Sequence, residues 1–499
     1  MTFSSLPFLL LFLPSVVIAY FAVGITGRLL SRQKGDGQAI ASNPLLPMQN
    51  FVLLIASLFF YAWGEPIYVV LLIGASVVAW AGGCLMKWLK QRNKGKLELL
   101  VMIVTIVLLI LSLCVFKYLG FFIGNINQVP FIQLPVVNFS LPIGISFYTF
   151  QILSYIIDLH LGRIGLQRNP LRLMLYVSLF PQLIAGPIVR YQTIESELGS
   201  RHSSIKDIKE GTYRFIIGLS KKVLIADNVA LLSDAIYNIY RNSLSADPTV
   251  YDCVGTSALW LASMAYTMQI YYDFSGYSDM AIGLGRIFGF HFPENFNHPY
   301  VSHSVSEFWR RWHISLSSWF RDYVYFPLGG SRCSKIRRTM NIMVVWMLTG
   351  LWHGASWNFV LWGVFFGIIL MIEKAFFDYT SKKNFNSILG WAYCFIIVNT
   401  SWVLFHIENF SFLHKVFHRM FCWSSTDWTR LMAENSDIVQ TVGLLPIAFI
   451  LSLPTLNKLW TSKNRYVVLL RDLAAVVAFL LCFVYIISSS FHPFIYFRF

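Results

Sequence analysis

A histidine inside a long uncharged run is the residue of this sequence best suited to chemistry within a membrane. His353 lies in the segment TGLWHGASW, part of a stretch from 339 to 372 without Asp, Glu, Lys or Arg. A short imidazole reaches little beyond its own helical turn, so we expect His353 at membrane depth, where an ionisable residue indicates function. The flanking Gly350 and Gly354 would permit close approach of backbone or ligand. A structural histidine bonded to one backbone carbonyl would fit the same pattern.

A second histidine, His313, lies on the apolar face of a predicted amphipathic helix. Ser304 and Glu307 have the spacing of a capping box, which predicts that the helix begins there. At about 100° per residue, the helix has one apolar face and an opposite face that carries arginines. The apolar face consists of Trp309, His313, Leu316 and Phe320, with Trp312 and Trp319 beside it. A histidine in this position is either a packed core residue or a functional one.

Basic residues cluster close to that helix. They are Arg310, Arg311, Arg321, Arg332, Lys335, Arg337 and Arg338, interrupted by the loop LGGS at 328–331. Arginine and glycine-rich backbone can hold phosphate groups through bidentate hydrogen bonds and free amides. The excess of Lys and Arg in cytoplasmic loops of membrane proteins produces the same pattern without any ligand. Both interpretations stay open.

Three carboxylates lie in largely apolar sequence. Asp158 follows SYII, whereas Asp273 and Asp279 belong to the string YDFSGYSD. Such groups could orient a catalytic histidine or carry protons. The simpler interpretation is that they pair with arginine or cap short helices.

The amino-acid composition indicates the class of protein to which these residues belong. Of 499 residues, 56% are hydrophobic and 13% are charged, whereas soluble domains have about 25% charged residues. An ordinary soluble enzyme is therefore excluded. Several uncharged runs approach or exceed the roughly 20 residues that a helix needs to cross a bilayer. They are 99–116, 253–272, 339–372, 384–407 and 473–497.

We predict an all-α polytopic integral membrane protein with about ten to twelve transmembrane helices in a single domain, 1–499. Residues 1–27 lack a basic n-region, so we expect a first membrane helix rather than a removed signal peptide. The net charge of +15 comes from short loops between apolar runs, which fits cytoplasmic loops and not nucleic-acid binding. The seven cysteines form no CxxC pair, so neither a disulfide framework nor a metal site is expected.

One segment predicts an irregular membrane element. Residues 171–190 contain Pro181 and Pro187 between basic flanks, which favours a re-entrant segment over a crossing. Proline breaks a helix, and broken backbone at membrane depth is tolerated only where protein or a water-filled cavity satisfies its polar groups. We therefore expect re-entrant and amphipathic helices around an intramembrane chamber.

Five strings resemble the membrane-bound O-acyltransferase family, specifically its bacterial alginate O-acetylation branch. They are SFYTFQ at 146–151, YDFSGYSD at 272–279, PENFNHPY at 293–300, EFWRRWHISL at 307–316 and GLWHG at 350–354. The resemblance runs in order from the first helix to about 373. It divides the domain into a family-like core, 1–377, and more variable C-terminal helices, 378–499.

The resemblance implies that His353 corresponds to the family's catalytic histidine and His313 to its second, upstream one. It also implies acetyl-coenzyme A as the acyl donor, with no permanently bound cofactor, in the inner membrane of a bacterium. The donor's phosphates would meet cytoplasmic arginines, namely Arg310, Arg311, Arg332, Arg337 and Arg338. Similar proteins serve alginate, peptidoglycan and cellulose, so the acceptor polysaccharide stays open. An extracytoplasmic acetyltransferase or acceptor protein is the expected partner, with lipid around the protein.

Chemistry allows a simple mechanism for such a transfer. A neutral histidine can remove the hydroxyl proton of the acceptor, and a well-placed base supplies about 10²–10⁴-fold. We assign this role to His353, with His313 or a nearby amide positioning the thioester carbonyl. The rival class is a transporter that moves an acyl carrier or a proton without chemistry. Acyl transfer from the donor in detergent would distinguish the two. A cysteine-based palmitoyltransferase is unsupported, because no Asp-His-His-Cys string occurs.

Overall fold

The computed structural model describes residues 1–33, 45–137, 139–244, 252–376, 388–454, 464–488 and 494. Within these ranges the regular structure is entirely helical, which confirms the predicted all-α class. The chain divides into two compact units. Unit 1 comprises Met1–Phe215 and Tyr277–Glu294, and unit 2 comprises Ile216–Gly276 and Asn295–Phe499. The single domain stays a prediction, and its proposed internal boundary at 377 lies outside the described residues.

Unit 1 is built mainly from long apolar helices. Its helices are α1 Leu13–Gln33, α2 Leu46–Gly64, α3 Val69–Gln91, α4 Gly95–Leu113, α5 Leu119–Ile126, α6 Ile145–His160, α7 Pro170–Ser178, α8 Phe180–Leu183 and α9 Tyr191–Gly199. Helix α10, Ile205–Ser220, begins in this unit and ends in unit 2. Single π-helical segments precede α1 at Phe8–Phe12 and follow α4 at Cys114–Tyr118.

Unit 2 carries both candidate histidines. Its helices are α11 Asp227–Ser243, α12 Thr256–Ile287, α13 Val305–Arg311, α14 Ile314–Phe320, α15 Lys335–His353, α16 Trp357–Phe376, α17 Ile388–His406, α18 Phe410–Phe421, α19 Trp428–Glu434, α20 Ser436–Thr441, α21 Leu444–Ser452 and α22 Arg465–Ser488. The last turns of α12 belong to unit 1. Short π or 3₁₀ segments occur at Lys221–Ala226, Pro299–Val301 and Arg321–Tyr325.

Seven of the described helical segments are long and apolar enough to cross a membrane. They are Phe8–Gly27, Leu46–Gly64, Val69–Gln91, Gly95–Ile126, Trp357–Ala375, Ile388–His406 and Arg465–Ser488. The predicted multi-pass class is therefore confirmed. Two uncharged runs are organised differently: 253–272 ends within the 32-residue α12, which begins at Thr256, and 339–372 is divided between α15 and α16. Passes beyond the seven stay a prediction.

The segment with the two prolines is irregular, as predicted. Helix α7 ends at Ser178, α8 covers one turn, and the backbone from 184 to 190 is not helical. All residues from 175 to 189 are buried. The Tyr176 hydroxyl donates to the Val189 carbonyl at 3.0 Å, and the Gln182 amide donates to the Tyr176 carbonyl at 2.6 Å. Protein side chains thus satisfy backbone groups that the broken helix leaves open. Re-entry into a membrane and an intramembrane chamber stay predictions.

The predicted continuous amphipathic helix is broken at His313. Helix α13 ends at Arg311 and α14 begins at Ile314, while His313 has a φ of 45° in the left-handed region. The Ile314 N–H donates to the Asn295 carbonyl at 3.0 Å, and the Asn297 N–H donates to the Arg311 carbonyl at 2.9 Å. The segment that contains Asn295 and Asn297 is thus hydrogen-bonded to backbone groups that would pair within an unbroken helix. The prediction of one uninterrupted helix is therefore wrong, although the predicted apolar side chains are all buried.

Glycines bring α15 and α16 close together. A Cβ at Gly350 would clash with the carbonyl oxygen of Phe359, and one at Gly363 would clash with that of Trp346. Small residues are the usual means by which membrane helices approach closely. The predicted close approach of backbone near Gly350 is confirmed. This packing fixes the end of α15, and His353 is its last residue.

Candidate active site

His353 lies in an aromatic environment at the end of α15. Its side chain is 6% exposed. Its ring lies 5.1 Å from Trp352, 5.2 Å from Trp362 and 5.3 Å from Phe405, measured between ring centroids, and each contact is edge-to-face. Gly354 ends the helix in an extended conformation, with φ −173°. The structure therefore presents a buried imidazole that packs against three aromatic rings.

His313 is held differently, by polar groups. It is fully buried, and its ring lies 4.7 Å from Phe274. Its Nδ1 lies 3.1 Å from the side-chain oxygen of Asn295. The same oxygen accepts from the Ser315 backbone N–H at 3.2 Å and from the Ser315 hydroxyl at 2.8 Å. The left-handed backbone at His313 is a conformation that non-glycine residues rarely adopt, and such strain occurs preferentially at functional sites.

Both predicted histidines contact the side chain of Trp352. The Trp352 ring lies 5.1 Å from His353 and 5.6 Å from His313. His313 lies outside the seven candidate spans, and its pKa is well below the ordinary value, first because of burial and second because of the charge that His353 can carry. A neutral imidazole is the form that can accept a proton. The pair can therefore take part in acid–base chemistry.

Asn295 was missed when the sequence was considered alone. It lies 18 residues before His313 and belongs to the string PENFNHPY, in which nothing marks this asparagine as a partner of the histidine. Its side chain is fully buried. A buried amide among hydrophobic residues is a signal of a specific polar contact, but burial is not visible in the sequence.

The start of α13 is fixed by two carboxylates. Ser304 accepts from the Glu307 N–H at 3.1 Å and the Glu307 carboxylate accepts from the His303 N–H at 3.0 Å, which confirms the predicted helix start. Glu373 of α16, which is fully buried, accepts from the N–H groups of Val305 at 2.6 Å and of the next residue at 3.0 Å. A carboxylate at the positive end of a helix is favourable. Sequence alone did not identify Glu373.

The predicted donor-binding arginines are in different situations. Arg311 pairs with Glu307 at 2.9 Å, and Arg337 donates from Nε to the Leu328 carbonyl at 3.1 Å. Arg310 and Arg332 are exposed. Gly329 and Gly330 have positive φ values of 109° and 56°, so the loop before α15 turns sharply and Arg337 holds it. Arg337 therefore has a structural partner already, whereas Arg332 is directed to the surface.

The arginines near α15 lie far from His353. A helix rises about 1.5 Å per residue, so the 15 residues from Arg338 to His353 correspond to about 22 Å. The arginines at the start of α15 and His353 at its end are therefore separate parts of any site. A ligand bound to both must be long. Within the described residues, no group of three or more His, Cys, Asp or Glu side chains could hold a metal ion.

The three carboxylates that lie in largely apolar sequence form ion pairs. Asp158 lies 3.1 Å from Arg163, Asp279 lies 2.6 Å from Arg214, and Asp273 lies 2.6 Å from Lys222. Pairing with a basic side chain is thus the interpretation that the structure supports for each of them. The partner of Asp273 is a lysine 51 residues away, which the sequence did not indicate.

The chain is similar to known proteins along most of its length. The family model described as MBOAT, membrane-bound O-acyltransferase family, matches residues 167–417, which include both histidines. The chain is 37% identical to the probable alginate O-acetylase AlgI of Pseudomonas aeruginosa, over 90% of this chain and 80% of that protein. It is 31% identical to the peptidoglycan O-acetyltransferase of Helicobacter pylori, over 99% and 98%. It is 28% identical to the teichoic acid D-alanyltransferase of Bacillus subtilis, over 54% and 67%.

These relatives transfer acyl groups, and the matches extend over nearly the whole chain. The seven apolar helices agree with a membrane family. The chain belongs to the membrane-bound O-acyltransferase family and is a multi-pass membrane enzyme of the O-acyltransferase class.

Proposed function

We propose that this enzyme moves an acetyl group from cytoplasmic acetyl-coenzyme A across the membrane for O-acetylation of an envelope or secreted polysaccharide. The observation that carries the proposal is the pair of buried imidazoles that both contact the ring of Trp352. The names of the relatives support an alginate-like polymer or peptidoglycan as the final acceptor. The inner membrane of a bacterium is the corresponding location.

His353 is the proposed general base. The hydroxyl oxygen of the acceptor forms a bond to the thioester carbonyl carbon while its proton passes to an imidazole, and the carbon–sulfur bond then breaks. The leaving thiolate of coenzyme A takes up the proton, so the reaction balances without any other reagent. The aromatic environment of His353 excludes water, which would disfavour hydrolysis of the donor.

The distance along α15 between the arginines and His353 favours a long acyl donor. If the phosphates of coenzyme A bind near Arg332 and Arg338, the thioester must reach about 22 Å along the helix to His353. The hydrocarbon core is about 30 Å thick, so this chemistry would take place beyond its middle when the basic end of α15 is cytoplasmic. The pantetheine arm of coenzyme A is a thin chain suited to this path. An extracytoplasmic partner protein would then take the acetyl group onward.

The test is vectorial transfer in sealed vesicles. Labelled acetyl-coenzyme A is supplied only on the side of the basic loops, and label on the opposite side is measured with and without a candidate extracytoplasmic partner and its glycan. We expect label to cross and to reach glycan only with the partner. Vesicles containing His353→Ala provide the control. Label confined to the donor side contradicts passage through the protein, and equal glycan labelling without a partner contradicts the relay.

A further inference from the structure

The hydrogen bonds of Asn295 determine which nitrogen of His313 carries its proton. The backbone N–H of Ser315 can only donate, and it lies 3.2 Å from the terminal side-chain atom of Asn295. That atom is therefore the amide oxygen and not the amide nitrogen. An amide oxygen can only accept, so Nδ1 of His313, 3.1 Å away, must be the donor.

The hydrogen bonds of Asn295 therefore assign one tautomer to His313. With the proton on Nδ1, a neutral imidazole carries its lone pair on Nε2, and Nε2 is buried. Burial lowers the pKa of His313 well below its ordinary value, which keeps the ring neutral. The elements packed against the ring contribute Phe274 from α12 and Trp352 from α15, with His353 as the titratable group next to it.

The surrounding backbone fixes the ring as well as the proton. The Ile314 N–H donates to the Asn295 carbonyl at 3.0 Å, so Asn295 uses both its main chain and its side chain on the turn that contains His313. The left-handed φ of 45° at His313 is maintained by these bonds. Residues that lock the tautomer of a catalytic imidazole recur in enzymes that use histidine for proton transfer.

We propose that Asn295 is a positioning residue that holds His313 with Nε2 as a proton acceptor. This rests on the proposed function and revises one part of it. A neutral imidazole in this tautomer has no proton on Nε2 to donate to the thioester carbonyl, so that role falls to a nearby amide. The proton then moves in three steps. His353 removes it from the hydroxyl group, Nε2 of His313 accepts it from His353, and His313 releases it to the departing thiolate.

The test is a comparison of Asn295→Asp, Asn295→Ala and the control Ser318→Ala. A carboxylate at 295 stabilises the protonated ring, so Nε2 of His313 becomes protonated at a higher pH. The acidic limb of the kcat profile should move up by about one pH unit or more, as expected for an opposite charge within hydrogen-bond distance. Asn295→Ala should lower kcat about tenfold or more with little change in the KM for acetyl-coenzyme A.

Ser318→Ala removes a hydroxyl of the same helix that donates to the Ser315 carbonyl at 2.9 Å and not to the Asn295 oxygen. It should keep the wild-type pH profile. If Asn295→Asp has the wild-type profile, or if Ser318→Ala shifts it equally, Asn295 does not act through His313 and the inference is overturned. These kinetics require an active wild-type enzyme, and a wild type without acyl transfer would instead contradict the proposed function.

A direct measurement distinguishes the two tautomers of His313. Nitrogen-15 NMR of histidine-labelled protein in bilayers distinguishes a protonated Nδ1 from a protonated Nε2, and His313→Gln identifies the signal. We expect the His313 signal to show protonated Nδ1 and unprotonated Nε2 at neutral pH, whether or not the acyl donor has been identified correctly. A protonated Nε2 in the folded wild-type protein would contradict the assignment.

Discussion

The two histidine regions of unit 2 are held in place by opposite means. His353 ends a continuous 19-residue helix and is surrounded by rings, and its helix is pressed against α16 through Gly350. His313 lies in a break between two seven-residue helices and is held by a polar contact from Asn295. Three aromatic rings pack against His353, whereas the Asn295 side chain is hydrogen-bonded to His313.

This difference predicts different sensitivities. Aromatic packing determines where a ring lies but does not by itself select which nitrogen is protonated, which suits a group that gains and loses a proton in each cycle. A hydrogen bond to Nδ1 fixes the tautomer as well as the orientation. Substitutions around His353 should therefore act through volume, whereas substitutions around His313 should act through charge and hydrogen bonding.

The largest effect is expected for the histidines themselves. His353→Ala should lower kcat by at least about 10²-fold while the protein stays folded and inserted, because it loses the proposed general base. His313→Ala should also damage activity, but less uniformly among substrates. Initial rates of acetyl transfer with purified proteins measure both. His418→Ala, at an exposed position on α18, is the control and should keep wild-type rates. More than a tenth of wild-type turnover in His353→Ala would remove it as the base.

Several features of this arrangement could be predicted from sequence because they are local. The capping box joins Ser304 to Glu307 across three positions, and Asp158 pairs with Arg163 only five positions away. His353 was recognisable since a charge-free run leaves an ionisable side chain without a route to water. Patterns within one helix turn or one apolar run therefore predicted the corresponding structure.

The break at His313 could not be predicted in this way. The spacing of apolar residues from Trp309 to Phe320 is compatible with a single helix, and it remains a correct guide to burial. What breaks the helix is a set of hydrogen bonds that Asn295, 18 positions earlier, accepts from the turn at His313. Helical periodicity carries no information about such a distant partner. The same limitation applies to Glu373, which contacts Val305 from 68 positions away.

Packing around His353 can be disrupted with one methyl group. In Gly350→Ala the new Cβ would meet the Phe359 carbonyl oxygen, and backbone cannot yield as a flexible side chain can. Overpacking of this kind costs about 1–3 kcal/mol. We expect a lower unfolding temperature and a several-fold lower kcat. Gly74→Ala in α3 is the matched control, since nothing lies within 4 Å of its Cβ position, and it should be neutral or stabilising. Equal behaviour of the two variants would show that close packing does not position His353.

The arginine cluster at the other end of α15 should affect donor binding and not chemistry. Exposed charge pairs contribute up to about 1 kcal/mol each, so replacing Arg332, Arg337 and Arg338 with Gln should raise the KM for acetyl-coenzyme A about three- to tenfold. The kcat value should change little, because His353 lies about 22 Å away. Substituting the exposed residues Arg92, Lys94 and Lys96 by Gln is the control. An unchanged KM together with altered membrane orientation would favour the topological interpretation.

The smallest effect is expected where α13 begins. Ser304→Ala removes the side chain that accepts from the Glu307 N–H at 3.1 Å, and loss of such a cap costs about 1 kcal/mol. Glu373 still accepts from the Val305 N–H, so the helix should not unravel. The unfolding temperature should fall slightly, and kcat should stay within about twofold of wild type because Asn295 holds His313 independently of this cap.

Ser334→Ala is the matched variant for the other histidine, since Ser334 caps α15 through a longer, exposed contact of 3.4 Å to the Arg337 N–H. It should lower stability less than Ser304→Ala does, because an exposed cap can be replaced by water. Thermal unfolding and kcat measured on both variants sharpen the contrast between the two regions. A tenfold fall in kcat for Ser304→Ala at nearly unchanged stability would mean that α13, and not the Asn295 contact, determines the position of His313.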